Sequence, residues 1–414
     1  MRIAVIGAGV SGLTTAYLLS RLHEVVVFEA NAYLGGHTQT HEVSQGDKNY
    51  RIDTGFIVCN KHNYVGFYRL LDSLGVRTQP TEMSFGVSDQ RTGLEYNATD
   101  IDRLFVQRRN AFSPRFLRMV YDILRFYRES PSLLASTNPG PTLGEYLSEH
   151  RYSQTFIEQH LIPMGSALWS APPAQMLEFP ARYLVQFMHN HRMLGVRNRP
   201  QWEVVQGGSS SYVAAMMRTA RFSTLTNTRV AQVQRSSAGV DVRLPDGLTQ
   251  RFDEVVFACH SDQALALLTD PSGAEQRVLG AMRFQRNDVV LHTDRRLLPT
   301  NPRAWAAWNA LLPKDRPEQC TLTYNMNILQ SIESPEPFCV TLNRSELIDP
   351  AKVLKRLVYE HPIYSRESVQ AQACWADVSG VNRTHFCGAY WGWGFHEDGV
   401  QSALKVCASL GVQW

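Results

Sequence analysis

At 414 residues the chain exceeds the roughly 100–200 residues of one ordinary domain, which excludes a lone small binding module and leaves room for a core that encloses a ligand. Its 41 Lys+Arg against 38 Asp+Glu give a net charge of +3, too near neutral to argue for nucleic acid as a partner, so any basic surface is local. Seven scattered cysteines with no C-x-x-C point to free thiols in a reducing, cytoplasmic setting and to no metal centre. No apolar run approaches the about 18 residues of a spanning helix.

The N-terminus carries the first chemical signal. Residues 2–6 form a short apolar strand, Gly7-Ala8-Gly9-Val10-Ser11-Gly12 comes next, and helical spacing of Leu13, Ala16, Tyr17 and Leu18 begins at once. In a strand, G-x-G-x-x-G, helix unit, Gly7 permits the tight turn, Gly9 lets backbone approach a pyrophosphate, and Gly12 lets helix and strand pack closely. The helix start, with Ala8 and Ser11 beside it, offers N–H groups to phosphate. These glycines mark the segment as folded, mature protein rather than a leader. A second strand, 23–28, ends at Glu29, placed to accept hydrogen bonds from a ribose. This context implies a dinucleotide, though Glu29 alone does not distinguish FAD from NAD.

After Glu29 comes a second glycine pair, Gly35-Gly36-His37-Thr38, where further backbone can pass close to the cofactor. E-x-x-x-x-x-G-G resembles the second signature of the flavin-containing amine oxidase, phytoene desaturase and protoporphyrinogen oxidase superfamily, which implies FAD. That superfamily usually has Arg where this chain has His37.

From 64 to 200 no nucleotide signature occurs. Within this stretch, residues 102–128 hold seven arginines (Arg103, Arg108, Arg109, Arg115, Arg118, Arg125, Arg128) against Asp102 and Asp122, 7 − 2 = +5. On a helix from Arg115, positions 115, 118, 122, 125 and 129 form a polar stripe and Phe116, Val120, Ile123 and Tyr127 an apolar one. Two readings stand: a solvated face built from i,i+4 pairs, or peripheral contact with a membrane surface.

Residues 201–275 resemble the return of the chain to the cofactor domain. Gly207-Gly208-Ser209-Ser210-Ser211 opens a helix through Arg218, with serines suited to capping; 228–235, 240–244 and 249–252 are strands; and 255–258 is a buried parallel strand. The resemblance implies the β-meander of a glutathione-reductase-like fold, with the Val230 backbone near the adenine. Residues 276–375 again lack a nucleotide signature.

The last element runs from Phe386 through Gly388, Tyr390, Trp391, Trp393, Phe395, His396, Glu397, Asp398 and Gly399 into a helix, a glycine-rich turn that presents N–H groups to the anionic edge of a reduced flavin. Taken with Asp53-Thr54-Gly55-Phe56-Ile57-Val58, Ile162-Pro163-Met164-Gly165-Ser166, His260-Ser261-Asp262-Gln263 and Gln285-Arg286-Asn287-Asp288, the chain resembles from end to end a bacterial family of predicted NAD/FAD-binding, amine-oxidase-like proteins, often encoded beside cyclopropane fatty-acyl phospholipid synthases.

That resemblance implies an α/β fold with an FAD-binding domain (1–63, 201–275, 376–414) and an interleaved α+β substrate domain (64–200, 276–375). It places Gly55 and Phe56 on one side of the isoalloxazine and Tyr390, Trp391, Trp393, Phe395 and His396 on the other. It also implies oxidation of a fatty-acyl chain.

The aromatics either flank an alkyl chain or only pack the flavin. His396 with Glu397 and Asp398 is either a base with charge partners or a backbone contact with Asp398 as helix cap. The absence of an obvious amine-oxidase lysine counts against amine oxidation, yet amine or amino-acid oxidase and non-redox flavoprotein (isomerase or lipid-binding accessory) remain alternatives. The sequence leaves the electron acceptor open among dioxygen, a quinone and a carrier.

Overall fold

A computed structural model describes residues 1–414 apart from 137, 139, 317 and 318. Its centre is a five-stranded parallel sheet. Strand Arg2–Ile6 pairs with Glu24–Phe28 on one side and Glu254–Phe257 on the other, so that Val5 stands between Val27 and Val256. These strands are apolar along almost their whole length because both faces are covered, which is why they show no alternation. Thr384–Phe386 adds one edge. Ser223–Leu225 adds the other, a strand too short and polar to be anticipated.

The β-meander is present as three antiparallel strands, Gln232–Ser236, Gly239–Arg243 and Thr249–Phe252. Its first strand begins four residues later than the sequence suggests, leaving Val230 in the approach to it. Helix Ser210–Thr219 forms where expected, but serine capping does not occur: Ser209 gives both its N–H and its hydroxyl to Asp53 at 2.9 Å.

A seven-stranded mixed sheet makes the second layer, in the order 353–362, 284–292, 339–342, 321–325, 308–312, 85–89, 94–97. Helices between 114 and 190 cover part of it through a core that includes Phe126, Phe156, Trp169 and Phe187. The proposed domain boundary near residue 63 divides the molecule less cleanly than the pattern implies. Strand Thr78–Thr81 shares a sheet with 58–59 and 202–205, and helix Val65–Leu74 sends Phe67, Leu70 and Leu71 into the same core as Leu13 and Leu18. A carboxylate locks this junction: Asp53, fully buried, accepts from Thr40 at 2.6 Å, from Ser209, and from Gln330 at 3.2 Å, and burial pushes it up to about 6.

Two glycines set how closely the layers approach. A Cβ at Gly12 would lie 2.0 Å from the Gly7 carbonyl oxygen, and one at Gly55 would lie 2.0 Å from that of His37. Both obstacles are backbone, which a rotamer change cannot relieve. Gly12→Ala should therefore destabilise the fold by ~2 kcal/mol or more, read as a lower midpoint of urea unfolding; an unchanged midpoint would contradict this packing.

Candidate active site

The first turn of helix Val10–Leu19 has no side-chain cap, and the first intrahelical bond is Leu13 N–H to Gly9 O at 2.9 Å. The preceding N–H groups are thus available to an anion. Gly7 makes the turn at φ 105°, its N–H bonded to Phe28 O. Glu29 ties the turn to the segment after the second strand: one carboxylate oxygen accepts from Ala8 N–H at 2.9 Å, the other from the Asn31 N–H and side-chain amide at 2.8 Å. Gly35 N–H bonds Ala8 O at 2.8 Å, and a Cβ at Gly36 would come within 3.0 Å of Gly9 Cα. The second glycine pair is therefore laid against the first.

Helix His396–Ser409 arrives at the same place. A Cβ at Gly399 would meet Val10 Cγ1 at 2.7 Å and Ser11 Oγ at 3.0 Å, so the starts of the two helices touch. A Cβ at Gly9, by contrast, meets nothing within 4 Å. That side of Gly9 faces a cavity of about 1010 Å³, at the upper end of the roughly 300–1,000 Å³ typical of ligand sites. Gly7, Ala8, Gly9, Ser11, Glu29, Gly36, His37, Gly55, Phe56, Val230, Gly388, Tyr390, Trp393, Phe395 and His396 all line it. The uncapped helix start, the open face of Gly9 and the size of the cavity together fit a dinucleotide.

Other expected residues sit behind the wall. Gly12 and Gly399 serve the close packing of helix on strand and helix on helix. Thr38 is buried, its hydroxyl 2.7 Å from Tyr212 Oη and 3.0 Å from His396 Nε2. Glu397 turns away and caps helix Val65–Leu74, accepting from Gly66 and Phe67 N–H at 2.8 Å each. Asp398 accepts from Phe395 N–H at 2.9 Å, and burial pushes it up to about 7. Both acids line a separate cavity of about 740 Å³ with His62 and Gln401. Trp391 lies off the main cavity, beside Tyr390 at 5.4 Å, in the core under the meander.

The arrangement of rings also departs from expectation. Phe56 and His396 stack face to face at 3.6 Å and 9°, so they cannot hold a ring between them. Burial lowers His396 to about 3, and its Nε2 is engaged by Thr38 and by Tyr212 at 3.1 Å. A general base works best with a pKa near the operating pH, and this imidazole is instead held by two hydroxyls in surroundings that disfavour its charged form.

Sequence reasoning missed Tyr212, Tyr359 and His361. His37 stacks on Tyr359 at 4.9 Å and His361 at 5.5 Å, and burial lowers His37 well below its usual range and His361 to about 4. These partners come from an edge strand far downstream, and no local spacing reveals them. Where relatives carry a cation after the glycines, this chain thus places an imidazole kept neutral.

The region 10–323 matches the model of the flavin containing amine oxidoreductase family. The chain belongs to that family. With membership comes FAD as the cofactor of the cavity. A segment of 97 residues, 23% of this chain and 13% of the relative's own length, is 36% identical to tryptophan 2-monooxygenase of Allorhizobium ampelinum. Among solved structures, cyclohexylamine oxidase from Brevibacterium oxydans covers 99% of this chain and 98% of its own at a TM-score of 0.70 and 17% identity. A putative protoporphyrinogen oxidase from Exiguobacterium covers 99% and 98% at 0.67 and 15%. A fatty acid isomerase from P. acnes covers 98% and 98% at 0.68 and 15%. At such identities these structures establish a shared fold, the mixed α/β architecture that the glycine motifs imply.

The buried imidazoles set a pH dependence. His160 and His396 (each about 3), and His191, His361 and His385 (each about 4), lie below their unfolded value because burial disfavours the charged form. The unfolded chain therefore takes up these protons first, and stability present above about pH 6.5 is lost as pH falls toward 4. Asp53 and Asp398, raised, oppose this over part of the range but are fewer. The urea midpoint should fall on acidification from about pH 7 to about pH 5, and His396→Gln should flatten the slope by about one proton, ~1.4 kcal/mol per pH unit. A midpoint that rises on acidification would contradict the assignment.

Proposed function

We propose that this chain is an FAD-dependent oxidoreductase that takes a hydride from a carbon of a substrate bearing a bulky apolar group. The observation that carries it is the composition of the cavity wall beyond the nucleotide turns: Phe85, Tyr127, Met164, Leu168, Trp169, Phe187, Trp308 and Leu342. Bound FAD supplies the hydride acceptor. The chain supplies the rest. Its apolar wall excludes water and holds the reacting carbon by area burial, while the packed loop 392–395 closes one side. Trp169 Nε1 donates to Trp393 O at 3.0 Å, and Tyr183 and Gln372 both donate to Gly392 O, at 2.8 and 2.6 Å. Five aromatic rings, Trp169, Tyr183, Phe187, Trp393 and Phe395, stand around that loop within 6.4 Å of a neighbour.

Family membership and the amine oxidase among the structural neighbours favour an apolar amine as the substrate, ahead of the acyl chain that the end-to-end resemblance implies. The neutral imidazoles suit an amine that enters uncharged. A specific observation keeps the acyl chain as a second reading: among the described residues no lysine lines the cavity, and the one carboxylate on the wall from the seven-stranded sheet, Glu360, is engaged by His260 Nδ1 at 3.2 Å. Little there would select a cationic nitrogen.

Anaerobic mixing separates the readings. With an apolar amine such as cyclohexylamine, bleaching of the 450-nm flavin band at about one equivalent, and peroxide on admitting air, support amine oxidation. Bleaching only by unsaturated or methyl-branched acyl lipids supports the second reading. A spectrum that stays oxidised with every apolar amine and acyl lipid overturns hydride removal and leaves a non-redox flavoprotein.

A further inference from the structure

The arginine-rich helix Pro114–Glu129 turns its apolar stripe inward as its sequence pattern implies, but buries one residue of its polar stripe as well. Asp122 is fully buried; it receives Arg118 Nε at 3.1 Å, Arg125 Nη1 at 3.3 Å and Ser153 N–H at 3.0 Å. The i,i+4 pairs Arg118–Asp122 and Arg125–Glu129 form as the spacing implies, but the stripe is only partly solvated: the Asp122 side chain is buried and that of Arg125 is 13% exposed, against 50% for Arg118. Phe116, Met119, Ile123 and Phe126 pack inward beside the stripe. The outer side is unusual for a helix of such charge: Leu117, Tyr121 and Leu124 are all exposed, with no chain over them.

Phe112, just before the helix, is also exposed at 88%, as are Ile101 at 78% and Val196 at 69%. Among the described residues Arg109, Arg115, Arg192, Arg197 and Arg199 make no ion pair, in contrast to Arg103, Arg108 and Arg128, which hold Glu82, Asp102 and Glu129. Exposed Thr99, Arg192 and Arg199 all line the main cavity, Ile101 follows Thr99 by two residues, and Tyr127 lines it from the helix itself.

We propose that this rim is a docking surface for an anionic phospholipid bilayer, through which an apolar substrate passes from lipid into the cavity. Charge and continuity identify the occupant. Arginines without carboxylate partners match anionic headgroups, exposed Phe112, Ile101 and Tyr121 suit the interfacial layer, and the exposed Thr99, Arg192 and Arg199 line the cavity that an apolar molecule has to enter. Nothing in the chain needs to cross the bilayer: among the described residues no helix is long and apolar enough. The inference rests on the apolar-substrate reading above, but its failure is separable.

Sedimentation of the FAD-loaded protein with vesicles is the test. Vesicles of phosphatidylcholine with a quarter phosphatidylglycerol should carry the protein down, pure phosphatidylcholine should not, and added salt should release it. Arg109→Gln with Arg115→Gln should weaken partitioning roughly thirtyfold, at the approximate attraction of one surface arginine each. Ile101→Ser with Phe112→Ser should weaken it independently of salt. Both pairs should keep the wild-type flavin spectrum, melting temperature and rate with a water-soluble substrate, because none of the four lines the cavity. Equal partitioning of variants and wild type, indifference to phosphatidylglycerol, or a concentration-dependent dimer that buries Phe112 would overturn the proposal. Loss of vesicle binding with flavin bleaching intact would sink docking alone, and the converse would sink the substrate reading alone.

Discussion

Everything in the cofactor region depends on two helix starts being held against each other. Gly399 lies on Val10 and Ser11 with no room for a methyl group, which brings the N-termini of helices from opposite ends of the chain to one wall of one cavity. The first start contributes N–H groups without a side-chain cap, both contribute the positive end of a macrodipole, and a pyrophosphate or an anionic ring edge is what such a pair attracts. The parallel sheet beneath fixes both positions, since strands 2–6 and 384–386 stand on either side of 254–257.

Around that contact the polar groups are arranged to hold backbone more than to do chemistry. Glu29 ties Ala8 to Asn31, Glu397 starts the helix at Val65, Asp398 closes its own turn, and Asp53 joins the hairpin 40–53 to Ser209 and Gln330. Burial disfavours the charged form of the imidazoles in the wall, His37, His361 and His396. An aromatic and largely apolar wall suits hydride removal from carbon, where the cofactor carries the redox chemistry and the protein supplies position.

The nucleotide end is legible in the sequence because its chemistry is local. Gly7, Gly9, Gly12 and Glu29 lie within 23 residues of one another, and each answers a steric or hydrogen-bonding need that spacing alone reveals. The roles of Glu397 and His396 are not legible, because their partners, Gly66, Phe67, Thr38 and Tyr212, are brought to them only by the tertiary fold. The helix at 114–129 shows the same limit. Its periodicity and its i,i+4 pairs are plain in the sequence, but the burial of Asp122 depends on Ser153 N–H, which only the tertiary fold brings to it. The short strand 223–225 escapes because an edge needs few apolar residues.

Gly9 offers the most direct test of the central claim. Its backbone is extended at φ −71°, and a Cβ there meets no protein atom within 4 Å, so Gly9→Val should fold as the wild type does. The valine would fill the space in front of the two helix starts. Titration of apoprotein with FAD should give one yellow equivalent per chain for the wild type, and for the folded Gly9→Val a Kd raised at least about a hundredfold, a loss of ~2.7 kcal/mol. Wild-type affinity in that variant, with an unchanged melting temperature, would show that the cofactor does not lie where the helices meet.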